Sequence, residues 1–154
     1  MKKTKLIRAV VITIGISIAL ALYPALAIIG KEKKEIIPTG EISFSLTHAQ
    51  TIWISALEWC ESRGKKTAIN AKDLDGTPSY YSFQFKPGTF LYFGQLYGVL
   101  DKGLTLSDIT DKDIIKDYEI TKDIVEAMVA HRNEISWETQ FPGCVRQIGK
   151  PPAY

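Results

Sequence analysis

Glu61 is the residue whose type and position best suit acid–base chemistry. Ile54, Leu57 and Glu61 follow helical spacing, so the carboxyl continues an apolar stripe. We expect it in the last turn of a helix, where burial and the helix dipole both disfavour a negative charge. Both effects raise a carboxyl pKa, as a general acid near neutral pH requires. The simpler alternative is a solvated Glu61 at a frayed helix end, like its neighbour Glu58.

Two aspartates downstream are the candidates for a second carboxylate. Acid–base sites often pair two carboxyl groups whose surroundings give them separate roles. Asp73 and Asp75 lie in Asp-Leu-Asp-Gly, a sequence typical of turns. Aspartates in such turns usually accept hydrogen bonds from their own backbone, and this is the interpretation that we favour for both.

The N-terminus has the pattern of an export signal. Four basic residues precede Ala9, and residues 9–29 then carry no charge. Residues 1–29 are therefore either a cleaved signal peptide or a membrane anchor, because the apolar stretch is also about long enough to span a bilayer. We expect a linker over residues 30–44 and one domain over residues 45–154. That domain is then extracytoplasmic: periplasmic, in the cell envelope or secreted.

The net charge argues against a nucleic-acid-binding domain. The whole chain carries a net charge of +2, but four of its 19 basic residues lie in the leader. The remainder has 15 basic and 17 acidic residues, so no excess of positive charge is left to face a phosphate backbone.

The only two cysteines predict a disulfide. An export signal implies an oxidising compartment, where Cys60 and Cys144 would tie the first helix to the C-terminal tail. Closing so long a loop stabilises a fold by about 4 kcal/mol on the chain-entropy model. Two buried free thiols are the alternative. His48 and His131 are the only histidines, so neither a thiol enzyme nor a His/Cys metal site is expected.

The elements that must position these residues are mostly helical. A first helix, capped by Ser45 or Thr47 and ended by Gly64, is apolar almost all round, which predicts a buried central helix with Trp59 in the core. An irregular loop or hairpin follows, extended over 80–85, and then a helix from Pro87 to Leu100. The last long helix begins near Asp111 and Asp113 and ends near His131 and Arg132. Its apolar stripe comprises Ile114, Tyr118, Thr121, Val125 and Met128.

Several segments together resemble a known superfamily. Residues 59–64, Trp-Cys-Glu-Ser-Arg-Gly, are similar to the Cys-Glu-Ser-x-Gly segment of lysozyme-like domains, which include resuscitation-promoting factors and lytic transglycosylases. Residues 68–70 fall where those domains have a short loop containing Asn and Ala. Residues 80–85, Tyr-Tyr-Ser-Phe-Gln-Phe, resemble the family's Tyr-Gly-x-x-Gln-Phe segment, and residues 86–90 continue the match. The resemblance covers about residues 49–97.

This resemblance implies a mostly α, lysozyme-like fold that cleaves peptidoglycan. The bond is the β-1,4 linkage between N-acetylmuramic acid and N-acetylglucosamine, with Glu61 as general acid and then base. Lytic transglycosylases use one Glu, and the lack of a convincing partner carboxylate favours that reaction over hydrolysis. Ser62 and Gln84 would position the glycan, and Tyr80 and Phe83 would offer flat faces to its sugars. No cofactor or metal is implied, and a monomer is expected.

The sequence departs from the family pattern at two places. Tyr81 and Ser82 stand where small residues, often Gly, are usual, and no Ala-Tyr-Asn-Ala-Gly-like segment follows downstream. The tail must then complete the cleft in its own way. These departures favour the alternative function: an inactive, membrane-anchored peptidoglycan-binding or envelope-assembly module. A Glu61 open to a groove favours the enzyme, a Glu61 covered by Tyr81 favours the binding module, and a chance similarity predicts no groove.

Overall fold

The computed structural model describes residues 43–71, 73 and 75–154. The predicted leader and nearly all of the predicted linker lie outside these residues. In the described part of the chain, no helix is long and apolar enough to cross a membrane.

The first helix, α1, spans His48–Ser62. Thr47 caps it: the Thr47 hydroxyl accepts from the Gln50 N–H at 3.2 Å, and Gln50 Oε1 accepts from the Thr47 N–H at 2.8 Å. Its C-terminal cap, Arg63, adopts a left-handed φ of 56°, and the next residue, Gly64, has a φ of 71°. The predicted bounds of this helix are therefore confirmed.

An irregular hairpin follows α1, as predicted. Strands β1 (Ile69–Asn70) and β2 (Ser79–Tyr80) are antiparallel, with Ile69 opposite Tyr80 and Asn70 opposite Ser79. The predicted extension of 80–85 is wrong. Tyr80 and Phe85 pair with each other through two backbone hydrogen bonds of 3.0 and 3.2 Å, and the chain between them forms a tight turn with left-handed φ at Tyr81 and Gln84.

The middle of the chain has more breaks than predicted. Helix α2 (Pro87–Leu96) ends early, because the chain turns at Gly98 and returns to pack Leu100 on Gly94, where an added Cβ would lie 2.4 Å from Leu100 Cδ1. The predicted long helix begins later than expected, because Asp113 has a left-handed φ of 56° and Ile114–Lys116 form a 3₁₀ turn. Helix α4 then spans Tyr118–Ala130, and a short helix that was not predicted, α3 (Leu106–Asp111), precedes Asp113.

The C-terminal tail forms further short helices. After a 3₁₀ turn at Arg132–Glu134, α5 spans Trp137–Gln140 and α6 spans Pro142–Ile148. Helix α6 packs against α1, and the Cys60–Cys144 disulfide joins them, which confirms the predicted bond. Trp53 Nε1 also donates to the Gly149 carbonyl at 3.0 Å. The tail is thus fixed to the helix that carries Glu61.

One core lies between α1, α2, α4 and the C-terminal helices. Residues with no exposed surface include Leu57, Phe83, Phe90, Ile124 and Met128. The predicted mostly α character is confirmed. The prediction that α1 is buried almost all round, with Trp59 in the core, is wrong, because Ile52 is 56% exposed and Trp59 is 60% exposed. The other two tryptophans, Trp53 and Trp137, do lie in the core.

Candidate functional site

A cleft of about 560 Å³ opens beside the C-terminal end of α1. Helix α1 contributes Cys60 and Glu61, and the hairpin and its loop contribute one side wall. The opposite wall is the tail, from Thr139 to Cys144 together with Gln147. Tyr81 is not among the residues that line the cleft, so Glu61 faces open space and is not covered by that side chain.

Glu61 is the half-buried carboxyl of this cleft. Loss of solvent around it, and secondarily the negative charge of Asp73, raise its pKa from 4.5 to about 7. Its location at the C-terminal end of α1 also leaves it without the stabilisation that an anion receives at a helix N-terminus. At neutral pH, about half of the molecules therefore carry a proton on Glu61. Such a group can donate a proton and later accept one.

Lys86 binds both candidate partner carboxylates. Its ammonium lies 2.6 Å from Asp75 Oδ2 and 3.3 Å from Asp73 Oδ2. The hydrogen bond from Lys86, followed by one from the Thr77 N–H at 2.9 Å, lowers the pKa of Asp75. The bond to Thr77 is the turn interaction expected for Asp75, and the Gly76 N–H donates to the Asp73 carbonyl at 2.8 Å.

Gln84 lines the cleft but its amide binds the hairpin loop. Its Nε2 donates to the carbonyls of Tyr81 at 2.7 Å and Ala68 at 3.2 Å, and its Oε1 accepts from Ser79 Oγ at 3.0 Å. Both amide protons are thus used within the protein. Gln84 therefore holds the loop that forms the side wall and has only acceptor capacity left for a ligand.

The other predicted sugar contacts lie away from the cleft. Ser62 is buried, and its hydroxyl donates to the Glu58 carbonyl at 3.0 Å, so it bonds the end of its own helix instead of a ligand. Phe83 is fully buried in the core, so its ring cannot face a sugar as expected. Tyr80 shares the opposite face of the hairpin with Ile69 and borders a different groove, because paired residues of a hairpin point to the same side.

The residues that sequence reasoning missed form the far wall and the ion cluster. Thr139, Gln140, Phe141 and Gln147 line the cleft from α5 and α6, and Lys86 lines it from the start of α2. One signal for the far wall was present. The predicted disulfide requires Cys144 to bond to Cys60, which directly precedes Glu61. The tail that carries Cys144 must therefore lie beside the candidate acid.

No protein-family model, curated protein or solved structure matches this chain. Among the described residues, no group of three or more His, Cys, Asp or Glu side chains could hold a metal ion. The chemistry of the cleft must therefore be inferred from the surroundings of its own residues, with Glu61 as the group best suited to move a proton.

Proposed function

We propose that this protein is a lytic transglycosylase that cleaves the MurNAc–GlcNAc β-1,4 bond of peptidoglycan, with Glu61 as its acid and base. The observation that carries the proposal is the raised pKa of Glu61, about 7, on the wall of an open cleft. Polar, uncharged side chains suited to sugar hydroxyls surround it: Asn70, Ser79, Thr89, Thr139, Gln140 and Gln147.

The proposed reaction needs one proton donor. Protonated Glu61 gives its proton to the departing glycosidic oxygen as the bond to the muramyl C1 breaks. The N-acetyl oxygen of the substrate stabilises the positive charge that develops at C1. The Glu61 carboxylate then takes the proton of the muramyl 6-hydroxyl while that oxygen bonds to C1. The product is a 1,6-anhydromuramyl end, and Glu61 is protonated again.

The state of the aspartates favours this reaction over hydrolysis. A hydrolase of the two-carboxylate type needs a second carboxylate free to attack C1 or to activate water. The Asp75 carboxylate accepts from Lys86 and from Thr77, and that of Asp73 is ion-paired with Lys86. Both groups are therefore held by the protein itself and are poorly placed to act as nucleophile or base.

The test is product analysis with a matched pair of variants. The full-length chain in mild detergent is incubated with purified peptidoglycan, beside Glu61→Gln and Glu58→Gln. Glu58 is a suitable control because it lies on the same helix, accepts from the Tyr118 hydroxyl at 3.3 Å and does not line the cleft. Glutamine keeps that acceptor while removing the same charge.

Mass spectrometry of the released fragments separates the possible outcomes. We expect anhydromuramyl products from wild type and Glu58→Gln and none from Glu61→Gln. Reducing-end products would instead indicate a hydrolase and return attention to Asp73 and Asp75. If folded wild type releases nothing but sediments with the wall material, the binding-module alternative replaces the enzyme.

A further inference from the structure

A cluster of cations at the end of α1 has no acidic partner in the part of the chain that the structure describes. Arg63, Lys65 and Lys66 occupy three of four consecutive positions and are all exposed. Five lysines elsewhere, Lys86, Lys112, Lys116, Lys122 and Lys150, form salt bridges, but within the described residues Arg63 and Lys65 form none. Lys66 lies over the Tyr118 ring, with 3.7 Å from its nitrogen to the ring centre. The positive charge of this segment is therefore available to an external anion.

The exposed Trp59 adjoins these cations. The Trp59 side chain is 60% exposed, whereas the other two tryptophans are each 6% exposed or less. The ring packs against Gly64, where an added Cβ would lie 3.4 Å from Trp59 Cε3. The aromatic ring and the basic loop thus form one surface, which we call the 59–66 patch: Trp59, Arg63, Lys65 and Lys66.

The patch is close to the proposed acid and is held by the backbone. Arg63 follows Glu61 by two residues, so their Cα atoms are at most about 7 Å apart. The left-handed conformations of Arg63 and Gly64 fix the direction in which the loop leaves the helix. The Lys65 N–H donates to the Ser62 carbonyl at 3.2 Å, and the Lys65 carbonyl accepts from the Ala68 N–H at 3.1 Å. The patch therefore begins within one helical turn of Glu61 and lies beside the cleft, while none of its residues lines the cleft itself.

We propose that the 59–66 patch binds the carboxylates of the peptide stems that project from a glycan strand in the cleft. The inference rests on the proposed function for its ligand. Arg63 and Lys65 supply the charge complement to the stem carboxylates, and the indole of Trp59 supplies a flat apolar face for the stem or its sugar. The cleft itself offers little attraction for such anions, because it holds three carboxylates and Lys86 is paired with two of them.

Sedimentation with intact cell-wall sacculi tests this in a background that does not cleave. The full-length chain carrying Glu61→Gln is compared with the same chain carrying Arg63→Gln and Lys65→Gln. The charge-matched control carries Lys102→Gln and Lys122→Gln, two exposed or half-exposed lysines outside the cleft and the patch. Each protein is tested on untreated sacculi and on sacculi whose carboxyl groups have been amidated.

We expect the Arg63/Lys65 variant to bind untreated sacculi about fivefold to tenfold more weakly, and the control to stay within about twofold. On amidated sacculi the two should bind alike. Trp59→Ala should weaken binding on both materials, since packing on a ring needs no charge. The difference between the two chains should also shrink as salt is added.

Two results would overturn the proposal. One is equal binding of the patch variant and the control to untreated sacculi. The other is a patch-dependent loss seen only on vesicles of phosphatidylglycerol, which would assign the surface to an anionic lipid. Because binding is measured with Glu61→Gln, failure of wild type to cleave peptidoglycan would sink the enzyme while leaving this result intact.

Discussion

The cleft contains two kinds of carboxylate in opposite surroundings. Glu61 projects from the end of a long helix, is half-buried, and has a pKa raised to about 7. Asp75 lies on a turn, is exposed to water, and has a pKa lowered by hydrogen bonds from Lys86 and Thr77. The same functional group is thus prepared for proton transfer at the end of α1 and for a negative charge on the hairpin wall. Its role follows from its surroundings and not from its residue type.

The largest expected effect is the difference in cleavage rate between variants of Glu61 and variants of the two aspartates. Glu61→Gln should lower the rate of peptidoglycan cleavage by about 10²- to 10⁴-fold, the usual contribution of a general acid. Asp73→Asn and Asp75→Asn should each retain activity within about tenfold, because neither donates a proton. Initial rates of muropeptide release measure this. If Asp75→Asn lowered the rate as much as Glu61→Gln, the two carboxylates would not have the different roles described above.

The next effect is on the free energy of unfolding, whose pH dependence should have opposite signs for Glu61 and Asp75. The folded-state pKa of Glu61 lies above its ordinary value, so its stabilising contribution is present below about pH 4.5 and is lost as pH rises through about 7. Glu61→Gln should therefore raise the free energy of unfolding by about 1–2 kcal/mol at pH 8, after allowing for partial exposure, and change it little at pH 4.5.

Asp75 should behave in the reverse way. Its pKa is lowered on folding, so its contribution is present at neutral pH and is lost in acid. Asp75→Asn should therefore be slightly less stable than wild type at pH 8 and at pH 4.5, and should approach wild type only well below pH 3.8. Urea unfolding at pH 8, at pH 4.5 and well below pH 3.8 checks the two variants together, and the same sign of pH dependence in both would contradict the comparison.

A smaller effect links the pKa of Glu61 to Asp73 through Lys86. Asp73→Asn should lower the pKa of Glu61, but by less than half of the rise from 4.5 to 7, because burial is the larger cause. Lys86→Met should raise that pKa, since Asp73 loses the cation that neutralises it. In the Asp73→Asn background, Lys86→Met should then have little effect. A ¹³C titration of the Glu61 carboxyl measures all four proteins, with Lys112→Met, which breaks a similar pair 2.6 Å from Asp108, as control.

The smallest effect concerns the tight turn between Tyr80 and Phe85. Tyr81 has a φ of 61°, a conformation that a residue with a Cβ adopts at a cost. Tyr81→Gly should therefore be more stable than Tyr81→Ala by about 1 kcal/mol, since both lose the ring and only glycine relieves the backbone. Thermal unfolding of the pair measures it.

Local signals predicted the parts of the molecule that are determined locally. The capped first helix, its end at Gly64 and the turn at Asp75 all depend on residues within a few positions of one another. The helical stripe predicted the direction of the Glu61 pKa, whose causes, burial and the charge of Asp73, also involve more distant segments. The disulfide could be predicted because only two cysteines exist to form it.

The remaining features depend on contacts between distant segments. The exposure of Trp59 could not be read from an apolar helix, because it depends on which faces α1 has neighbours to cover. The break at Asp113 needed a left-handed φ that the apolar period of the sequence does not reveal. Lys86 became part of the site only when the chain folded back 11 residues to Asp75. Short helices such as α5, of four residues, carry too few turns to show a period.

The disulfide also limits how the cleft can move. Cys60 and Cys144 both line it, one beside Glu61 on α1 and the other on the tail wall, so a covalent bond holds the tail against the helix that carries Glu61. While the bond is intact, the tail cannot separate from α1 at that border. Reduction of the bond should therefore loosen the tail wall next to Glu61 without changing the carboxyl itself.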